Sequence, residues 1–132
     1  DDPLLRLRRA EWTARRAAIG ARPADLRRAV EEWRVAFRAD PRNPAAYVGL
    51  GRALAEDDEA DASDAAFRQA TLLVPGDTRP VTAWALAQAA AGRLAEARTT
   101  ALAAVRLGPD DPSTAAALHL VERELLATRR SR

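Results

Sequence analysis

Residues 47–75 read YVGLGRALAEDDEADASDAAFRQATLLVP, two apolar-periodic runs on either side of a knot of acids. In the first run Tyr47, Leu50, Gly51 and Leu54 recur at three- and four-residue intervals. In the second, Ser63, Phe67 and Ala70 do the same ahead of Pro75. Such spacing places each set on one face of a helix, so the stretch predicts two helices joined by a turn built from acids. Each seam pairs a small residue with a bulky one, the pattern of helices whose backbones approach closely while a large neighbour fills the space beside the crossing.

The pattern repeats. The interval from Pro41 to Pro75 is the same as that from Pro75 to Pro109. Five residues upstream of each lie Ala36, Ala70 and Ala104; eight upstream lie Trp33, Phe67 and Ala101; twelve upstream lie Ala29, Ser63 and Ala97. All nine are small or aromatic, so three helices carry the same seam and each stops before its proline. The first run also returns, as Val81, Trp84, Ala85 and Gln88. Gly92 supplies the turn after it through its access to positive φ, and Asp58 stands at the equivalent position one unit earlier.

These residues resemble the tetratricopeptide repeat, whose 34-residue signature runs aromatic, Leu, Gly, then Ala, Phe, Ala and a closing proline. Tyr47, Leu50, Gly51, Phe67, Ala70 and Pro75 match it, with Ser63 as the small residue; Ala85, Gly92, Ala97, Ala104 and Pro109 carry the second copy, where Trp84 and Ala101 depart from it. The resemblance implies a single all-α domain over residues 1–132, a right-handed antiparallel helical-hairpin solenoid of about seven helices. Its parts are an N-terminal helix pair at 3–40, repeats at 44–77 and 78–111, and a C-terminal capping helix at 112–129. The opening helix departs from the signature: with Trp12 in the aromatic position, Arg15 and Arg16 fall where Leu and Gly belong. Leu5, Trp12 and Ile19 facing inward at seven-residue intervals, with a stop at Gly20 and Pro23, is the alternative reading.

Composition agrees with closely packed helices and excludes several functions. The chain has 132 residues, 48% of them hydrophobic, only 5% aromatic, with no cysteine and no methionine. Absence of cysteine removes disulfides, thiolate catalysis and Cys-based zinc sites. All 21 basic residues are arginine, so a pI near 10.2 goes with a net charge of only +2. Charge is uneven: residues 1–43 carry 11 Arg against 7 acids (+4), 44–77 carry 2 against 7 (−5), and 78–132 carry 8 against 5 (+3). No segment approaches the roughly 20 apolar residues of a membrane span. Beginning at Asp1 without any methionine, the chain reads as a segment or processed form of a soluble protein of the bacterial cytoplasm or periplasm, its source suggested by arginine-only, alanine-rich usage.

No catalytic or cofactor motif stands out. His119, the one histidine, has no second histidine or cysteine with which to share a metal, and no nucleophile to serve. The run Glu56, Asp57, Asp58, Glu59, Asp61 lacks the alternation, central glycine and closing glutamate of a calcium loop, and reads as a solvated turn with Asp61 or Ser63 as helix N-cap. Trp12, Trp33 and Trp84 fall where the repeat wants bulk. Arg6, Arg8, Arg9, Arg15 and Arg16 make the first helix a candidate for nucleic acid or another anionic surface, although a solvated face beside the Leu5, Trp12 and Ile19 stripe explains the same pattern.

The resemblance directs attention to the exposed face of each unit's first helix, which in this family receives extended peptides or partner helices. The corresponding residues here are Val48 and Arg52, Thr82 and Leu86, Ala116 and Leu120, with Arg79 and Arg123 adding charge. Family members that grip an acidic C-terminal tail use Lys and Asn at such positions, whereas this chain has Val, Thr, Ala and Leu. The expectation is therefore a non-catalytic protein-interaction scaffold, without metal or cofactor, whose partner is a protein, a peptide or a second copy of itself. The family serves in bacterial secretion, pilus-assembly and envelope machines as well as in cytoplasmic adaptors.

Overall fold

In the computed structural model, which describes residues 23–130, every regular element is a helix. They are α1 (Pro23–Ala39), α2 (Pro44–Glu56), α3 (Ala60–Leu73), α4 (Thr78–Ala90), α5 (Leu94–Leu107) and α6 (Pro112–Arg130). The opening helix expected at residues 3–20 lies outside the described residues. The chain forms two compact units that divide between Val74 and Pro75.

In the first unit α2 packs on both α1 and α3. Its core joins Ala29, Val30, Trp33 and Ala36 of α1 to Ala46, Leu50, Ala53 and Leu54 of α2 and Ala66 of α3. Glycine makes both crossings close. A Cβ on Gly51 would lie 2.7 Å from the Phe67 ring, and one on Gly49 would overlap the Trp33 indole. The small position at residue 63 does more than leave room: Ser63 is buried and its hydroxyl donates to the Gly51 carbonyl at 2.6 Å, tying α3 to α2. Ser63 is therefore not a helix cap. Nor is Asp61, which sits in the first turn of α3, where its charge favours the helix dipole; Glu59 occupies the cap position without a side-chain hydrogen bond.

In the second unit α4, α5 and α6 pack pairwise against one another. Ala85, Ala97, Ala101 and Ala104 are fully buried, as is Val121 of α6. Where the first unit buries Phe67, the equivalent position one repeat later is the fully buried Ala101.

Local chemistry explains where the helices begin. Asn43, Asp77 and Asp111, which recur at the same interval as the prolines, each accept a hydrogen bond from the backbone N–H two residues on, at 3.0, 2.9 and 2.9 Å. Pro44 and Pro112 follow two of these caps at a position that needs no N–H donor.

The two hairpin turns share one wiring. Glu59 N–H donates to the Leu54 carbonyl and Arg93 N–H to the Gln88 carbonyl, both at 2.9 Å, the six-to-one bond of a left-handed helix end. The pivots are Asp58 at φ 58° and Gly92 at φ 81°, and Asp58 is the one non-glycine residue with positive φ among the described residues. Positive φ costs an L-residue about 1–2 kcal/mol, somewhat less for Asp, and glycine almost nothing. Asp58→Gly will accordingly raise stability by about 0.5–1 kcal/mol. Gly92→Ala will lower it by about 1 kcal/mol or more, a conformational cost, since a Cβ there meets nothing within 4 Å. Urea denaturation midpoints of both variants read this directly, and a destabilised Asp58→Gly would mean that the acid holds the turn by a contact.

Candidate protein-interaction surface

The expected surface residues divide between the two units. On α2 of the first, Val48 is half-buried and Arg52 is exposed. On the second, Leu86 of α4 is 38% exposed and Leu120 of α6 is 45% exposed, one repeat apart at the same register. Ala116 and Arg123 of α6 are exposed too. Around each leucine the helix is otherwise well covered: Val81, Ala85 and Gln88 on α4, and Ala117 and Val121 on α6, are buried. Leu86 and Leu120 are thus apolar residues left open beside positions that the packing closes.

Thr82 departs from the expectation. It is only 8% exposed and its hydroxyl is buried without a hydrogen-bond partner, so it offers little to a ligand. Periodicity along α4 places Thr82 on the open side, and the folded packing buries it all the same. Arg79 departs in a different way. Its guanidinium is exposed but folds back onto the Asp77 carboxylate, with Nη2 at 2.5 Å from Oδ2 and Nε at 3.0 Å from both oxygens. That hydrogen bonding holds the Asp77 carboxyl below the usual carboxylate range. Arg79 therefore serves the cap of α4, and Arg123 is the freer charge on this unit.

A polar knot braces the starts of α4 and α6. Thr78 Oγ1 donates to Asp111 Oδ2 at 2.6 Å, and Ser113 donates to Asp111 Oδ1 through its N–H at 2.9 Å and its hydroxyl at 2.7 Å. These donors, Thr78 first, lower the Asp111 pKa. Thr114, fully buried, lies within hydrogen-bond distance of the carbonyls of Gly108 and Asp111. A Cβ on Gly108 would stand 2.5 Å from the Thr78 methyl, so glycine lets the knot close. This bracing sets the register between the helices that carry Leu86 and Leu120. The recurrence of Asn43, Asp77 and Asp111 was its only trace in the sequence.

The remaining candidates fall where chemistry is sparse. His119 is exposed on α6. The acids Glu56 to Asp61 line the end of α2, its turn and the start of α3, and partial burial raises the Glu56 pKa. Among the described residues no three His, Cys, Asp or Glu side chains converge to hold a metal. No described helix is long and apolar enough to cross a membrane. Trp33 is buried and Trp84 half-buried. Arg6, Arg8, Arg9, Arg15, Arg16 and Trp12 lie outside the described residues.

Three solved structures share this architecture. The second tetratricopeptide domain of human RPAP3, in complex with the HSP70 peptide SGPTIEEVD, superposes with a TM-score of 0.63 at 16% identity, over 92% of this chain and 98% of that one. The Arabidopsis OM64 tetratricopeptide domain gives 0.64 at 15% identity, over 93% and 99%. The first such domain of Spaghetti (RPAP3), bound to the HSP90 peptide SRMEEVD, gives 0.62 at 16% identity, over 92% and 94%. The fold is that of a tetratricopeptide repeat domain. No protein-family model and no curated protein matches the sequence. In these residues the tetratricopeptide hairpin keeps its small seams, and in the second copy Ala101 stands where the signature has its Phe.

Proposed function

We propose that this domain is a non-catalytic protein-interaction module that receives an apolar peptide or helix flanked by acids on the open faces of its first helices. Leu86 and Leu120 carry the reading: two large apolar side chains stay exposed at equivalent positions of adjacent helices. Arg123 beside them, and Arg52 with Val48 on the first unit, supply positive charge that favours acidic flanks. Two of the similar domains were determined with short acidic peptides, which supports a peptide ligand. The Lys and Asn set that grips a C-terminal carboxylate in that family is replaced here by Val48, Thr82, Leu86, Ala116 and Leu120, so apolar burial takes over from charge as the main source of affinity. An arginine-only, alanine-rich composition supports a bacterial setting, in an envelope, secretion or pilus-assembly complex.

The test uses peptides selected on the intact domain from a random display library. Leu86→Ser with Leu120→Ser will leave the melting temperature almost unchanged and weaken those peptides by about 2 kcal/mol or more, the scale of an interface hot spot. Arg52→Glu with Arg123→Glu will slow association of acidic peptides. Unchanged binding by the leucine double variant, together with loss of binding when Arg8 and Arg15 are reversed, would sink the proposal and assign the function to the basic first segment.

A further inference from the structure

The last helix differs from the other two first helices of hairpins. α2 and α4 span 13 residues each and α6 spans 19. The difference arises where the others turn: one repeat after Gly92 and two repeats after Asp58 stands Leu126, in regular helix. Leucine, which has a β-carbon and lacks the short polar side chain that lets Asp or Asn take up the left-handed turn, is poorly suited to it, and α6 runs straight on. Its equivalent of the buried Leu54 and Gln88 is Glu122, whose side chain is 46% exposed.

The extension creates a stripe. Glu122, Leu125, Leu126 and Arg129 are spaced i, i+3, i+4, i+7, one face of α6, and together with Arg98 of α5 they line a shallow open crevice. Leu126 is 53% exposed, more than Leu86 or Leu120. The face is a different one from that of Ala116 and Leu120, since at about 100° per residue the two sets point to opposite sides of the helix. Among the described residues Glu122 forms one ion pair, with Arg98 at 3.6 Å, and both side chains are about half exposed, so that pair is weak. Arg129 makes no ion pair among the described residues.

The order of these four residues makes the stripe complementary to itself. Turned end for end about a point midway between Leu125 and Leu126, it sets Glu122 against Arg129 and each leucine against the other. We propose that a second copy of this chain docks antiparallel on α6, with a twofold axis between Leu125 and Leu126 and two symmetry-related Glu122–Arg129 ion pairs. Such a contact is isologous and therefore closed at two subunits. From Glu122 to Arg129 the helix rises only about 10 Å, so the interface is smaller than a standard one and the dimer is weak and concentration-dependent. The surface carrying Leu86, Leu120 and Arg123 stays free, which gives the dimer two copies of the proposed peptide site and the avidity that follows.

Sedimentation equilibrium of the whole chain from micromolar to millimolar concentration tests this. The wild type will shift reversibly from monomer toward dimer, and Leu126→Glu will remain monomeric with an unaltered helical circular dichroism spectrum. Charge reversal is the sharper arm. Glu122→Arg alone and Arg129→Glu alone each set like charges together twice, and both will be monomeric. Mixed one to one, they will form a heterodimer: one chain then brings two guanidinium groups and the other two carboxylates, every contact pairs opposite charges, and association returns only in the mixture. Leu86→Ser with Leu120→Ser will dimerise as the wild type does, which separates a failure here from a failure of the peptide site. A wild type monomeric at millimolar concentration, a mixture that stays monomeric, or dimerisation that survives Leu126→Glu would each overturn the proposal.

Discussion

Phe67→Ala will lower the stability of the domain by about 3–5 kcal/mol, the cost of removing a fully buried aromatic ring. Phe67 has no exposed surface and is the largest fully buried side chain among the described residues. Its ring lies against the backbone of α2 at Gly51, where even a methyl group would come within 2.7 Å. Collapse into the vacated space would require α2 and α3 to move together. They are held in register by the Ser63 hydroxyl on the Gly51 carbonyl and by the Glu59 to Leu54 bond at the turn, so the cavity persists and its full cost is felt. Arg98→Ala is the contrast. That side chain is 52% exposed in a half-exposed ion pair, and its loss will cost less than about 0.5 kcal/mol. Urea denaturation of the two variants gives the comparison, and similar losses would mean that the hairpin seam is assigned to the wrong residues.

Gly49→Leu will destabilise by about 3 kcal/mol, near the upper end of the range for overpacking a closed core. Here helix propensity and packing pull in opposite directions. Glycine inside a helix is worse than most residues by up to about 1 kcal/mol, so on propensity alone the substitution should help. Packing wins because the Cβ would overlap the six-membered edge of the Trp33 indole. That ring cannot swing away, being 3% exposed in a core shared with Ala29, Val30 and Ala46. Its N–H already lacks a hydrogen-bond partner among the described residues, so displacement would have to relocate a buried polar group as well. Gly51→Leu will behave similarly against Phe67, at roughly 1–3 kcal/mol. Gly76→Ala is the control, since a Cβ there meets nothing within 4 Å. Thermal melts followed by circular dichroism report the stability; a stabilised Gly49→Leu would show that α1 and α2 do not cross there.

The helices, the hairpin pairing and the seams were legible in residues 24–109 because the 34-residue period repeats the same local physics: prolines that end helices, small residues where backbones cross, a bulky plug beside them. Even the odd turn was visible, since Asp58 occupies the place of Gly92. The sequence alone also separated Leu86 and Leu120 from the seam positions. It did not reveal Gly49, because a second glycine two residues from Gly51 has no place in the repeat signature and its reason is the Trp33 ring arriving from another helix. Ser63 read as a cap because Ser commonly caps helices; only the packing of α3 on α2 brings its hydroxyl to the Gly51 carbonyl. Thr82 and Arg79 read as lining residues for the same kind of reason. Position along a helix sets which way a side chain starts, but whether it meets solvent depends on what lies across from it. Thr82 is buried in the folded packing, and Arg79, though exposed, is paired with the Asp77 cap. Periodicity within one helix is written in consecutive residues and can be counted, whereas exposure and hydrogen-bond partnership are properties of two or more helices at once, which only the folded packing of this chain determines.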